Sequence, residues 1–454
     1  MATLGYTLPG TIIEEIQNPA SVNPTTSQRT PCFIGTASEY VKVTYEAVIR
    51  SSTGLADDLA YTSEGIYEVV QCGSQRGLGD YVEGTHFNLI GDQIVWTSSG
   101  IVTVGATYYV TYRYNRPSTD YIYKEFTKYE DVTADLGDDI PDHPLVMISK
   151  LALRWFSLPK IAVVQVPATE TSTDYANAID ATKYRDIQTI CALTTNTAVQ
   201  AYLINHVLER SLKDNGRYRM TYMGMPVGTD LGDDSDPTSL KGKAVSIQKE
   251  RVVLVNATRA LYYYNDLTTG EEASTVVDGA FIAAVVAAYR DSFIHPTTTL
   301  LNKIISGIEL YDEDYDDYYS EYQLTQAGAS SLFLLAPSGG FIKVIDDLTT
   351  DNSTVERNNI NIITAKDYIA KDVAIQIDRT FKGSLIKNRP NYAGVVQNYL
   401  QTLFKTYLNN NVIEQIGTLK VTLPSDRRDT VHLFYSYYAV YTHKYTEGTY
   451  TLEI

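Results

Sequence analysis

The densest run of side chains that could do chemistry is Tyr311-Asp312-Glu313-Asp314-Tyr315-Asp316-Asp317-Tyr318-Tyr319-Ser320-Glu321-Tyr322. Carboxylates at alternate positions can converge on a hard cation such as calcium. An EF-hand loop starting at Asp312 needs glycine where Asp317 stands and a bidentate glutamate where Gln323 stands. The run therefore reads as a solvated acidic loop, and Asp230-Leu231-Gly232-Asp233-Asp234-Ser235-Asp236-Pro237 reads the same way. Phosphate binding needs glycines where a strand meets a helix, so that the backbone can approach the anion. Gly77-Leu78-Gly79 opens like a dinucleotide fingerprint but places Val82 at the third glycine position, and it sits in β-rich sequence. Gly242-Lys243 follows Pro237-Thr238-Ser239-Leu240-Lys241, which supplies no P-loop glycine. His86, His143, His206, His295, His432 and His443 show neither HExxH nor paired spacing, and no GxSxG elbow accompanies them. His206 falls on the apolar side of a helix, where a packing histidine is the expectation. Cys32, Cys72 and Cys191 are too few and too far apart for a disulfide framework or a metal knuckle, and suit a reducing compartment. The expectation is a non-enzyme with no catalytic residue, no metal and no cofactor.

The elements that would have to position such groups are nevertheless well marked. Pro9-Gly10 is a turn and Thr11-Ile12-Ile13-Glu14-Glu15-Ile16 is strand-like, with Pro19 and Pro24 stopping any helix. From 38 to 135 the sequence is β-rich, clearest where Phe87–Ile90 and Gln93–Trp96 flank the turn Gly91-Asp92. Beyond Pro144 the period changes. A helix over Leu145–Phe156 precedes the apolar run Ile161–Val166, and the order then alternates: helix 174–187, strand 189–193, helix 198–213, strand 219–223, helix 238–249, strand 251–255. Such alternation predicts a mostly parallel sheet covered by helices. Asp278–Phe293 is a helix apolar nearly all round, stopped by Pro296. Thr364 and Asp367 suggest a capping pair for a helix running to Phe381, and Tyr392, Val396, Tyr399, Leu403 and Tyr407 recur at helical spacing. Val431, Leu433, Tyr435 and Tyr437 alternate with His432, Phe434, Ser436 and Tyr438 along a strand, and Tyr450, Leu452 and Ile454 share one face of an extended tail. Both ends read as strands without a local partner.

The chain has 454 residues, a prior of about three domains. Its formal charge of −17 repels nucleic acid. The opening residues lack the basic and apolar regions of a secretory signal, and the Gly279–Tyr289 stretch is far short of the ~20 apolar residues that cross a bilayer. Thirty-seven tyrosines against 11 phenylalanines and two tryptophans make the aromatic surface amphipathic, the type favoured in packing and subunit contact, and Tyr262-Tyr263-Tyr264 and Tyr435–Tyr441 are read that way.

In this setting the sequence resembles the contractile tail sheath proteins of bacteriophages. Leu8-Pro9-Gly10-Thr11-Ile12-Ile13-Glu14-Glu15 is similar to the family's opening "PGVYVEE" arm, and Pro31-Cys32-Phe33-Ile34-Gly35-Thr36-Ala37 to the strand that follows. His143-Pro144-Leu145 through Val166 resembles the first core helix and strand, Val277-Asp278-Gly279-Ala280-Phe281 with His295-Pro296 its "AG…A…D…P" helix, and Leu324-Thr325-Gln326-Ala327-Gly328 its "LN..GIN" turn. Asn359–Phe381 and Tyr392–Ile416 resemble the C-terminal region. Asp347-Leu348-Thr349-Thr350 lacks the glycine and arginine of "GRTT", and Val277-Asp278-Gly279 lacks the alanine usual before the glycine.

The resemblance implies an α/β and α+β multidomain chain: an N-terminal arm (1–20), the start of the sheath core (21–37), an inserted β-rich protruding domain (38–135), the α/β core (136–350), a tube-facing C-terminal α+β domain (351–445) and a C-terminal arm (446–454). It implies a virion protein, assembled in the host cytoplasm into helically stacked hexameric rings around an inner tail tube, with baseplate and tail terminator proteins as further partners and neither nucleic acid nor membrane. Gly10, Ile12, Ile13, Glu14, Ile16, Tyr450, Leu452 and Ile454 would form intersubunit arms received on the strand carrying Val431, Leu433, Tyr435 and Tyr437. Lys382, Lys387, Arg389 and Lys405 would face the tube. The sheath of a related bacteriocin or secretion machine, and an α/β enzyme with a β insertion, are the alternatives; size in solution separates the enzyme from either sheath.

Overall fold

The computed structural model describes the backbone of residues 13–15 and then residues 29–52, 54–61, 63, 65–115, 121–168, 170–212, 215–266, 269–310, 320–383, 389–424 and 430–441. Two strands come first, β1 (Ile13–Glu15) and β2 (Pro31–Thr36). β2 is the apolar run Pro-Cys-Phe-Ile-Gly-Thr and lies in the middle of a six-stranded sheet, as a strand buried on both faces must.

The chain then leaves this sheet. β3 (Tyr40–Ile49), β5 (Ile66–Gly73) and β8 (Thr107–Asn115) form one three-stranded antiparallel sheet, and β4 (Ala56–Asp58), β6 (Phe87–Ile90) and β7 (Gln93–Trp96) another. The expected hairpin is present, with Ile90 opposite Gln93 and both turn residues at positive φ, Gly91 at 56° and Asp92 at 64°, the requirement of a type I′ turn. The two sheets share a core of Val48, Phe87, Ile94, Trp96, Tyr108, Val110 and Tyr112. At its centre Asp57 is buried and accepts hydrogen bonds from Ser51 N (2.7 Å), Trp96 Nε1 (2.8 Å), the Tyr108 hydroxyl (2.9 Å) and Arg50 Nη1 (3.2 Å). Four donors satisfy a carboxylate that burial would otherwise make costly.

This small core ends near residue 115, short of the boundary at 135. β9 (Tyr123–Phe126) pairs antiparallel with β10 (Ile161–Val166) of the main sheet, and between them α1 (Tyr129–Leu136) and α2 (Pro144–Lys150) pack into the main core. α2 continues as one wide π turn, Leu151–Trp155. Alternation then follows the sequence reading with shorter helices: α3 (Ser172–Ala181), β11 (Thr189–Ala192), α4 (Thr197–Arg210), β12 (Met220–Met223), α5 (Leu240–Ile247) and β13 (Val252–Leu254). The strand order is β13-β12-β11-β2-β10-β9, parallel except for β9. Side chains alternate between two helical layers: Phe33, Val163 and Cys191 point to one, Cys32, Ile34, Ala162, Val164 and Ile190 to the other, against α3 and α4.

The hairpin β14 (Arg259–Asn265) and β15 (Glu272–Asp278) leads into α6 (Gly279–Asp291). Asp278 caps α6 by accepting from Phe281 N at 3.0 Å, and the helix is buried on every side, as its composition requires. β16 (Ile304–Ile305), β17 (Ile308–Leu310), α7 (Glu321–Ala329), β18 (Leu334–Pro337) and β19 (Ile342–Asp346) complete this part. A short α8 (Val355–Asn358) then precedes α9 (Ile360–Phe381), α10 (Arg389–Asn409), β20 (Gln415–Thr422) and β21 (His432–Tyr438). α9 begins inside the main core with Ile360 and Ile363 and ends in a second core with Ile369, Val373 and Ile377. Thr364 and Asp367 are therefore interior to α9 and do not cap it. Thr364 donates to Pro296 O (2.6 Å), and Asp367 takes both guanidinium arms of Arg251, at 2.6 and 2.7 Å.

Candidate functional site

An open parallel sheet offers a ligand crevice where the strand order reverses, here at the carboxyl ends of β2, β10 and β11. Leu193, just past β11, lies so close over Gly35 that a β-carbon on Gly35 would sit 2.8 Å from its Cδ1. Tyr175 adds its hydroxyl to Glu170 at 2.8 Å. Among the described residues no group of three or more His, Cys, Asp or Glu is placed to hold a metal ion, and no helix is long and apolar enough to cross a membrane. The acidic run lies outside the described residues except for its end, where Ser320 and Gln323 form a capping box for α7. Asp234 in the second acidic stretch accepts from the Ser330 hydroxyl at 2.7 Å, and Asp236 from Thr238. His206 is buried and accepts from Arg219 Nη1 at 2.8 Å, so burial and the neighbouring cation push its pKa down to about 4. Burial raises the thiols of Cys32, Cys72 and Cys191, those of Cys32 and Cys72 to about 12.

The arrangement that can do something lies in the C-terminal sheet. β20 and β21 form an antiparallel hairpin in which Leu433, Tyr435 and Tyr437 face inward, packing with Val396, Leu400, Phe404 and Tyr407 of α10 and with α9. Phe404 meets the Tyr435 ring at 5.3 Å and the Tyr437 ring at 6.2 Å. Val431 lies just before the strand, half-buried against the same core. β1 adds a third strand, parallel to β21, with Ile13 opposite Leu433, Glu14 opposite Phe434 and Glu15 opposite Tyr435. The arm segment expected to reach a neighbour thus sits, in the single chain, on the strand expected to receive it. Gly10, Ile12, Ile16, Tyr450, Leu452 and Ile454 lie outside the described residues.

Of the four basic residues, the structure places the side chains of Lys382 and Lys405. Lys382 closes α9 and pairs with Asp378 at 3.0 Å; Arg389 opens α10; Lys405 is exposed on α10 about 24 Å further along, at 1.5 Å per residue. Lys387 lies outside the described residues. Tyr392, Val396, Tyr399, Leu403 and Tyr407 face the core, which leaves Asn398, Thr402, Lys405 and Thr406 outward, a face with a single charge.

Sequence reasoning missed the polar seam that fastens α9 to the main sheet. Arg290, fully buried, donates through Nη2 to Pro296 O (2.5 Å) and Thr364 Oγ1 (2.8 Å); Lys366 reaches Glu250 at 3.5 Å and Lys371 reaches Asp186 at 2.5 Å. Beside them Arg29 bonds Asp291 at 2.6 Å. The signal was present: Thr364, Asp367 and Lys371 stand at i, i+3 and i+7 on an otherwise apolar helix face.

A family model described as "Domain of unknown function (DUF4815)" matches residues 21–188. No curated protein matches the chain. Among solved structures, the helical sheath of the anti-feeding prophage in its contracted state is similar at 12% identity, over 99% of this chain and 100% of that one, with a TM-score of 0.55. The contracted sheath complex of an extracellular contractile injection system, PVC, is similar at 11% identity, over 100% and 99%, with a TM-score of 0.53. A chain of the anti-feeding prophage baseplate is similar at 11% identity, over 99% and 100%, with a TM-score of 0.54. The chain therefore has the fold of contractile sheath proteins, in agreement with the family its sequence resembles.

Proposed function

We propose that this chain is the sheath subunit of a contractile particle, polymerising as stacked six-membered rings around a rigid inner tube and contracting to drive that tube through an envelope. The observation that carries the reading is the sheath fold over the full chain. It is supported by a C-terminal sheet that takes an N-terminal strand, a contact made by main-chain hydrogen bonds that can persist while rings rotate. Each such bond contributes about 0.5–1.5 kcal/mol net, so an arm of six would hold by several kcal/mol before its ordering cost. Heterologous contacts that do not close make a helix, and a metastable extended lattice stores the work of contraction at assembly without a nucleotide site.

In this reading the arms, Gly10 to Ile16 and Tyr450 to Ile454, join neighbouring copies, and the outward face of α10 with Lys382, Lys387, Arg389 and Lys405 lies toward the tube. A face with few charges, each worth about 0–1 kcal/mol when exposed, suits a surface that must release. The β-rich part over 38–115 projects outward. Baseplate and terminator proteins would close the two ends, in a virion or in the tail-like particle of an injection machine; the similar anti-feeding prophage and PVC sheaths favour keeping both.

Negative-stain microscopy of the purified full chain tests the proposal. Long tubes beside monomer are expected; a small closed oligomer under all conditions would reject it. Reversing all four basic residues should weaken co-assembly with the tube, and unchanged tails would remove the tube-facing assignment.

A further inference from the structure

The β20–β21 hairpin has two unlike edges. β20 is blunted by a register break between Ile416 and Leu419 and carries Lys420. β21, His-Leu-Phe-Tyr-Ser-Tyr-Tyr, has no lysine, carboxylate, proline or bulge, the composition of a strand that recruits any free partner. It is the β21 edge that β1 covers, in the order β1-β21-β20.

We propose that the free subunit caps its own acceptor edge with its own N-terminal strand, so that assembly is an exchange in which the strand of a second copy replaces it. What the exchanged strand joins rests on the sheath reading; the capping itself does not. Tether length allows both states. Thirteen residues, 16–28, separate β1 from Arg29, which is held by Asp291 and lines a small pocket with Tyr368 and Lys371 of α9. From Tyr368 to Ile377, where α9 meets the C-terminal core, is about 14 Å, whereas the tether extends to about 45 Å. The surplus reaches another copy as readily as its own sheet. A short tether gives its strand an effective concentration of about millimolar, which favours self-capping over a chance encounter at micromolar subunit by about a thousandfold. Only where neighbours are already held in a ring does a neighbour's strand compete on equal terms. Free subunits therefore stay apart and add to an existing ring.

The test uses the full chain carrying Glu14→Cys and Phe434→Cys, two positions directly opposite in the parallel register. The native cysteines are buried, so mild oxidation is selective for the new pair. In the monomer fraction an intrachain disulfide is expected, with at least a tenfold loss of tube mass that reduction restores. Disulfides formed mainly between chains in the double variant, or tubes that form equally well when oxidised, overturn the proposal. Hydrogen exchange on the unsubstituted monomer gives a second reading. Slow exchange at every amide from 433 to 435 supports the cap, and fast exchange at alternate amides shows an open edge and rejects it. An unsubstituted chain that never forms tubes refutes the sheath reading instead, and the disulfide and exchange results still decide the capping.

Discussion

Asp57 shows how one residue can hold a whole unit. Its carboxylate gathers two aromatic donors, a backbone amide and the buried Arg50 guanidinium at the centre of the inserted core. Removing it as Asp57→Ala leaves Arg50 a buried cation without its carboxylate, a change that costs about 3–5 kcal/mol. The expected result is early melting of the inserted unit in a thermal scan while the main core persists; an unchanged scan would contradict the role. His206 makes a pH prediction. Its folded pKa, about 4, lies below the ordinary value of 6.5, so the unfolded chain takes up the proton first. The neutral ring's contribution is complete above about pH 6.5 and is lost as pH falls toward 4, by an amount on the order of 3 kcal/mol. Denaturant titrations across that window should steepen for the native chain and flatten for His206→Asn. The charges facing the ring are Arg219, Arg210 and Lys183 against the single Asp180, so protonation meets net repulsion. Glycine 224 was invisible as a constraint in sequence. A β-carbon there would meet the Gly279 carbonyl at 2.0 Å, and Gly224→Ala should destabilise by about 3 kcal/mol or more as β12 and α6 are forced apart.

At the scale of elements, α9 is the member that makes two cores one molecule. Twenty-two residues, about 33 Å, run from Ile360 in the main core to Phe381 beside α10, and polar contacts along one side hold it to the sheet. The Arg251 fork on Asp367 is a bidentate contact among these, so Asp367→Ala should loosen the seam and split a single unfolding transition into two; one unbroken transition would show that apolar packing alone couples the cores. Periodicity found the existence and type of α9 but placed its start at Thr364, because Thr and Asp three apart mimic a cap when their tertiary partners, Pro296 and Arg251, are unseen. The inserted unit makes a matching case. Alternation and the Gly91-Asp92 turn revealed its strands, yet β9 looks no different from them in sequence, and only pairing with β10 assigns it to the main sheet. Arg113 bridges Glu68 and Asp138 at 2.6 and 2.9 Å, tying the unit to the core beside its exit. Deleting residues 40–115 with a short joining turn should leave the main core folded by circular dichroism, and an insoluble product would argue against independent folding.

At the scale of the whole molecule, the parallel sheet is closely packed at its switch point, where Leu193 lies over Gly35. Replacing Ile13 with proline removes a main-chain donor from β1 and should leave a folded subunit that no longer builds long tubes; tubes of normal length would show that the N-terminal strand does not link subunits. What the sequence determined by itself is whatever depends on local periodicity and composition. That includes the alternating β and α order, the buried run Ile161–Val166, the all-apolar α6 and the amphipathic pair formed by Tyr392–Tyr407 and the β21 strand. The failure of every phosphate, metal and nucleophile motif was legible too, since those chemistries need particular residues at fixed spacing. Tertiary structure alone decided the strand order around β2, the seam of charges along α9 and the register of β1 on β21. Each of these is a contact between residues far apart in the chain, where the free energy of pairing depends on which surfaces meet, and no local pattern encodes that choice.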